Sequence, residues 1–314
     1  MGNSAISKRV EGLPKEPTAS AGHLGMWKIY PGTRKDDGAE CSVWAFDKAD
    51  LAKKDRPGGA VADKAVQEQI FEIMKRDMKS MKECECSGVV KVHDVLEETK
   101  STLAFMTERV VCSVADVYGR SPLLDRTFFE TDGGISEIEI SRGLYNLAEG
   151  LQVLHTVHRK LHLNLCPESI VFTRMGSLKL CGFGFSLGFQ VGEHLRLASP
   201  YFLKATAEKE TMRLSPDLRY CGPEATIGGV NPTAVRYLSP ASDVFALGVL
   251  CFELYRYNLK LLPQGQGHLA IVPLHSNAIA QHHQALETIG ALDMNFLPPA
   301  LAPLLVGMLQ VRSF

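Results

Sequence analysis

Three groups of side chains in this 314-residue sequence are of types that do chemistry. The first is the thiols. Eight cysteines are present, but the one close pair, Cys84 and Cys86, is a lone C-x-C, and no C-x-x-C pair occurs. Structural zinc wants four ligands, usually as two such pairs, so a zinc site is not expected. Met1-Gly2-Asn3-Ser4 lacks the basic-then-apolar layout of a secretory leader,. A disulfide framework is therefore not expected either, and the thiols read as mostly buried in a reducing compartment. The second group is imidazole. His275, His282 and His283 lie close in sequence, but no carboxylate or thiol stands at ligand spacing, so they read as a polar helix face,. The third group is glycines and neutral polar residues. Ser20-Ala21-Gly22-His23-Leu24-Gly25, ahead of Trp27, has the look of a turn whose backbone N–H groups cradle phosphate,. Such a turn alone is a weak signal, and its meaning depends on what lies downstream.

The elements that would position these residues change character along the chain. Residues 1–19 are polar with two prolines and two glycines, which predicts a flexible tail,. Met26 to Tyr30 reads as a strand that Pro31-Gly32 should turn, and Cys41 to Phe46 reads as a second strand,. Lys64 to Lys82 has helical spacing of Val66, Ile70, Ile73 or Met74, Met78 and Met81,. Val89 to Val95 and Thr102 to Thr107 read as two further strands. Ser136 to His155 predicts an amphipathic helix with Ile140, Leu144, Leu147, Leu151 and Leu154 on one face,. Short strands at Ile170–Phe172 and Leu178–Leu180 are split by Met175-Gly176; Ser242 to Tyr255 and Ala300 to Leu309 read as helices. The stretch 185–220 reads as an irregular loop, and 258–299 is a Gly, Pro and His mixture with no clear period. The prediction is an α+β fold, a small β-rich lobe followed by a larger, mainly helical one.

Composition sets outer bounds. Hydrophobic residues make up 45%, and a chain this long can bury roughly 75% of its unfolded surface,. Lys and Arg total 34 against 35 Asp and Glu, a net charge of −1 that gives no global reason to expect nucleic-acid binding,. No run of 18 apolar residues predicts a membrane span,. Met1-Gly2 suggests N-myristoylation, but Ile6 replaces the usual Ser or Thr, and one acyl chain would hold a membrane only marginally,. Lys53-Lys54-Asp55-Arg56 reads as a solvated loop,.

Five motifs now fall in order. His162-Leu163-Asn164-Leu165-Cys166-Pro167-Glu168-Ser169 resembles the protein-kinase catalytic loop H-R-D-L-x-x-x-N,. Thirteen residues after Ser169, Gly182-Phe183-Gly184 stands where kinases have D-F-G. Gly222-Pro223-Glu224 resembles A-P-E, Asp243 to Gly248 resembles the start of the central large-lobe helix, and the turn at Ser20, Gly22 and Gly25 fits G-x-G-x-x-G-x-V with its first glycine replaced. The segments Trp27–Tyr30, Val43–Lys48, His162–Glu168 and Leu178–Phe185 are similar to the Scyl pseudokinases, most of all the coated-vesicle-associated branch. The resemblance implies a two-lobed protein-kinase-like domain over residues 20–314, with the small lobe at about 20–110 and the large lobe at about 111–314. The family carries a helical solenoid after this domain; with the chain stopping at Phe314, the solenoid is expected to be absent here and the final large-lobe helices cut short.

Phosphoryl transfer is mostly positioning and charge neutralisation. By motif position, Trp44 stands for the lysine that grips phosphates, Gly182 for the metal-binding aspartate, Ser169 for the second metal ligand and Asn164 for the catalytic base. No metal site and no cofactor are expected, with weak ATP binding as the alternative. Lys28 and Lys48 are poor substitutes: Lys28 should face away from Trp27, and Lys48 lies about 13 Å along the strand from Trp44. Asp77 sits near the place of the helix acid that pairs with the lysine; Glu72 is out of register. Trp27 and Trp44 are expected in the cleft, filling it; the alternative is that each packs on a neighbouring strand and leaves the cleft open but unused. The fold-making positions are retained in kind: His162 and Phe183 match the apolar spine, Asp243 the acid holding the catalytic loop, and Glu224 an acid for which Arg312 is the nearest candidate partner. The stretch from Ser186 to Arg219 matches the activation segment.

The expected function is therefore a catalytically inactive scaffold. By resemblance it would sit in clathrin-linked traffic between Golgi and endosomes, cytoplasmic or peripheral on those membranes, with clathrin and adaptor proteins as partners. The competing expectations are an atypical kinase with weak ATP binding or residual phosphotransfer, and a shortened product with no independent role.

Overall fold

A computed structural model describes residues 5–52, 63–119, 135–190, 195–196, 214–217, 219–222, 237–258 and 294–309. The small lobe is an antiparallel sheet. Its strands are β1 (Val10–Glu11), β2 (Ala19–Ala21), β3 (Trp27–Arg34), β4 (Glu40–Asp47), β5 (Val92–Glu98) and β6 (Thr102–Glu108), in the order β1-β3-β4-β6-β5, with β2 also on β3. Period-two alternation sorts its side chains. Trp44 and Phe46 of β4 and Leu103 and Phe105 of β6 enter the main core, whereas Cys41, Val43, Ala104 and Met106 line a second cluster on the opposite face.

Two expectations fail here. Pro31-Gly32 does not turn the chain; both residues pair within β3, opposite Ser42 and Cys41. The proline is tolerated because residues 30–32 lie between the β2 and β1 pairings, where no strand bonds that edge,. Residues 5–19 are not a loose tail. They carry α1 (Ala5–Arg9) and β1, and Ile6 and Val10 bury themselves in the second cluster with Tyr30, Val43 and Met106. Gly32 permits this docking: a Cβ there would lie 2.6 Å from Val10 Cγ1. Two apolar residues in a polar run are too few to show a periodicity, which is why the sequence concealed it.

Helix α2 (Lys64–Glu83) closes the inner side. Asp63 caps it through Val66 N–H at 2.8 Å, and its buried face is Ile70, Ile73, Met74, Met78 and Met81,. Strand β7 (Val110–Ser113) leads into α3 (Val114–Val117), a single turn with a Ser113/Asp116 capping box,. Helix α4 (Glu137–Thr156) follows, also capped by a Ser136/Glu139 box. Strand β8 (Lys160–Leu161) precedes the loop at 162–169, and β9 (Ile170–Thr173) and β10 (Leu178–Leu180) form the expected hairpin, joined to β7. β8 pairs with β11 (Leu187–Gly188), and β12 (Leu195–Arg196) pairs with β13 (Tyr237–Leu238). Helices α5 (Pro240–Asn258) and α6 (Leu301–Met308) complete the described residues. The architecture is the α+β, two-lobed arrangement that the motifs implied.

The lobes meet backbone to backbone. Val90 N–H bonds Leu180 O at 3.0 Å, and Leu180 N–H bonds Gly88 O at 2.8 Å. Gly88 lies against Gly150 of α4 so closely that a Cβ on Gly88 would be 2.4 Å from Gly150 Cα. Among the described residues no helix is long and apolar enough to cross a membrane.

Candidate functional site

The loop at 162–169 hangs from one acid. Asp243, in the first turn of α5 and 1% exposed, accepts the N–H groups of His162 and Leu163, each at 2.8 Å, and pairs with His155 Nε2 at 2.8 Å. This grip holds Leu163 at φ +61°, a conformation that few β-carbon residues adopt unaided,. His162 is fully buried. Its Nδ1 accepts Asn164 N–H at 3.3 Å, so its Nε2 donates to Cys181 O at 2.9 Å. Burial lowers its pKa, and the ring stands neutral, 4.5 Å from the ring of Phe183,. His162, Phe183 and Asp243 thus form a single load path from α5 to the Gly-Phe-Gly segment.

The polar positions are spent on the loop itself. Ser169 Oγ accepts Cys166 N–H and donates to Cys166 O, both at 2.9 Å. Asn164 Nδ2 reaches Gly182 O at 3.5 Å. Gly182 sits at φ +79°, ψ +39°, and a Cβ there would lie 2.7 Å from Ser169 Cβ. Gly184 presses on Ile73 of α2, where a Cβ would come within 2.6 Å of Cγ2. Between this loop and Asp217, Tyr220, Cys221 and Gly222 lies a cavity of about 20 Å³, also lined by Ser242 and Asp243. That is room for one water.

Both tryptophans are completely buried. Trp44 stacks on Phe105 at 5.4 Å and donates Nε1–H to Thr107 Oγ1 at 2.9 Å. Trp27 meets Phe105 edge-on at 4.9 Å, Phe46 at 6.1 Å and Trp44 at 6.4 Å. Its Nε1 donates to Asp77 Oδ2 at 2.8 Å. Asp77 Oδ1 accepts Phe183 N–H at 2.7 Å, so this acid of α2 joins the sheet to the Gly-Phe-Gly segment through N–H donors. Burial outweighs these bonds and pushes its pKa up from 3.8 to about 6,.

That shift has a sign. The folded state holds the proton more tightly than the unfolded chain, so the contribution is present below about pH 4 and is lost as pH rises through about 6,. The gap of about 2 pH units, at about 1.4 kcal/mol each, is worth up to about 3 kcal/mol. Urea unfolding of the wild type and of Asp77→Asn between pH 4 and pH 7 should show the wild-type advantage shrinking by about 2–3 kcal/mol toward neutral pH. A constant difference across the range would refute this role of Asp77.

The glycine-rich turn is clamped down. Ser20 N–H donates to Asp116 Oδ2 at 3.1 Å and Ser20 Oγ to Asp116 Oδ1 at 3.0 Å. Gly22 N–H donates to Glu168 O at 2.6 Å. Gly22 has φ +73°, and a Cβ there would lie 2.4 Å from Trp27 Cδ1. His23, also buried, meets the ring of Phe185 edge-on at 5.0 Å. Gly25, at φ +64°, returns the chain to β3. The connection between the lobes is also bonded to β4 and to itself: Val110 N–H donates to Ser42 Oγ of β4 at 3.0 Å, and Arg109 Nη1 donates to Val110 O.

Neither lysine substitutes for Trp44. Lys28 pairs with Asp50 at 2.6 Å, and Lys48 pairs with Glu68 at 2.7 Å while lying over the Phe71 ring. The structure therefore brings together Ser20, Gly22, Trp27, Trp44, Asn164, Ser169, Gly182 and Phe183. Pro223, Glu224, Arg312, His275, His282, His283 and the stretch 53–56 lie outside the described residues, as does most of the activation segment. Sequence reasoning missed Phe46 and Phe105, although alternation from Trp44 points to Phe46. It also missed Asp116 and Glu168. A Ser-x-x-Asp capping box was readable at 113–116, but its reach to Ser20, 96 positions away, was not.

Comparison with known proteins fits this geometry. The sequence matches the protein kinase domain family over residues 47–310. It is 26% identical over 245 residues to the protein kinase domain-containing protein ppk32 of Schizosaccharomyces pombe, covering 76% of this chain and 31% of that protein. It is 28% identical over 240 residues to human SCY1-like protein 2, covering 76% and 24%. It is 24% identical over 242 residues to the protein kinase-like protein SCY1 of Saccharomyces cerevisiae, covering 73% and 28%. The chain thus spans about a quarter to a third of the length of these curated relatives.

Proposed function

The chain belongs to the protein kinase domain family, with SCY1-like proteins among its relatives, and from that premise we propose that it is a catalytically inactive, kinase-like binding scaffold. One observation carries the reading. The helix acid whose motif position should pair with a phosphate-gripping lysine, Asp77, instead takes the indole N–H of Trp27. The inner face of β4 presents Trp44 and Phe46, so no cation stands on that face at either position. The donor set does not suit magnesium: Gly182 has no side chain, and the Ser169 hydroxyl is committed to Cys166 on both counts,. A neutral Asn164 cannot act as the general base, a loss of about 10²–10⁴ in rate by itself.

The domain then acts by shape, offering protein partners a surface across two lobes. The resemblance to Scyl pseudokinases makes clathrin-linked traffic the setting we propose, with adaptor proteins as partners and peripheral attachment to Golgi or endosomal membranes. Mg²⁺-ATP at millimolar concentration should leave the melting temperature unchanged within about 1 °C. A ligand at 100 times its Kd would add about 2.7 kcal/mol. Clear stabilisation would instead favour a nucleotide-binding, weakly active kinase.

A further inference from the structure

We propose that residues 20–25 are a built-in strap that holds the two lobes closed without nucleotide, with Asp116 as its anchor. This rests on the reading that the cleft takes no nucleotide, and it adds what does the holding instead. A glycine-rich turn that serves phosphates offers them its free backbone N–H groups. Here the amides of Ser20 and Gly22 are given to protein. Ser20, at the position of the first glycine, contributes a hydroxyl and an amide, both to the Asp116 carboxylate of the large lobe. Gly22 N–H crosses to the carbonyl of Glu168 in the loop at 162–169. His23 lies edge-on to Phe185, just after the Gly-Phe-Gly segment. Three successive stations of the turn are thus fastened to three separate segments of the large lobe.

Asp116 explains why the strap stays down. It is 1% exposed, and it takes Ser113 N–H at 2.9 Å as well as the two Ser20 donors. Capping α3 uses only the Ser113 bond. Lifting the turn would strip both Ser20 donors from a buried carboxyl group, and a buried acceptor left without its donors carries the full cost of its desolvation,. On its other side the turn rests against Trp27, where a Cβ on Gly22 would lie 2.4 Å from Cδ1.

Hydrogen exchange with mass-spectrometric readout tests this on the full chain. Ser20→Ala removes the hydroxyl bond and leaves the fold's core untouched. It should speed exchange roughly tenfold at residues 21–26 and at Ser169, whose loop the turn covers, while α4 amides such as Leu151 keep their wild-type rates. Asp116→Asn should give the same regional pattern with a larger increase, because its amide group would face donors. Wild-type rates at 21–26 in Ser20→Ala would overturn the strap. So would acceleration spread evenly over α4 and the turn, because the contact would then be one more piece of global stability. Adding Mg²⁺-ATP to the wild type separates the two readings. Slower exchange at 21–26 with nucleotide would defeat the empty-cleft reading, and the Ser20→Ala result would still judge the strap.

Discussion

Trp27→Ala should lower the stability of the domain by about 4–5 kcal/mol, the largest effect expected of any single side chain near the cleft. Removing a buried aromatic ring to the β-carbon commonly costs about 3–5 kcal/mol. Here the loss includes the edge-on contact with Phe105 and the support of Trp44 and Phe46. It also removes the Nε1–H donor from Asp77, leaving a fully buried carboxylate one partner short,. Thermal unfolding should drop by about 8–20 °C, at about 2–4 °C per kcal/mol for a chain of this class. Trp27→Phe separates the contributions: it keeps most of the packing and should lose about 1–3 kcal/mol from the bond alone. An alanine variant that melts within about 2 °C of the wild type would mean that the aromatic cluster does not hold the lobe together.

The second large effect concerns restoration of catalysis. Gly182→Asp puts back the residue type that binds metal in active kinases, yet it should destabilise the domain by about 3 kcal/mol and produce no kinase. The new Cβ would stand 2.7 Å from Ser169 Cβ, closer than real Cβ contacts come, in a left-handed conformation that glycine accepts freely,. Strain of this kind costs about 1–3 kcal/mol, and the overpacking adds a similar amount. Even the triple change Gly182→Asp, Asn164→Asp and Ser169→Asn would leave Trp44 in place of the phosphate-gripping lysine, with Trp27 packed against it. Autophosphorylation with radiolabelled ATP in Mg²⁺ or Mn²⁺ should remain at background in both variants. Incorporation that depends on the restored aspartate would show that the cleft admits a nucleotide after all.

These two sites also show what could be read from the residues and what could not. The opposite facing of Trp27 and Lys28 was legible, because alternation along a strand is a local rule, and Lys28 does turn outward to Asp50,. The helices α2, α4 and α5 were legible to within a few residues from apolar spacing. The grip of Asp243 on the 162–163 backbone followed from motif position. Contacts between distant residues of ordinary type were not legible. Nothing local marks Asp116 as the partner of Ser20, or Glu168 O as the partner of Gly22, because neither bond has a periodicity or a spacing. Asp77 was placed correctly on its helix, but its partner was hidden, since an indole N–H is an unusual substitute for an ammonium group. The docking of residues 5–19 was hidden for a third reason: Ile6 and Val10 matter only because Gly32 clears the ground beneath them.

The contact of Gly88 with Gly150 has a consequence for how this domain could diverge. Where two main chains touch, no repacking of neighbours can make room for even one methyl group. Charged and catalytic side chains can be exchanged for others at little cost to folding, but this joint has no acceptable spelling other than its present one. The approach of the two halves at this seam is therefore fixed by bare backbone, whichever side chains line the cleft beside it.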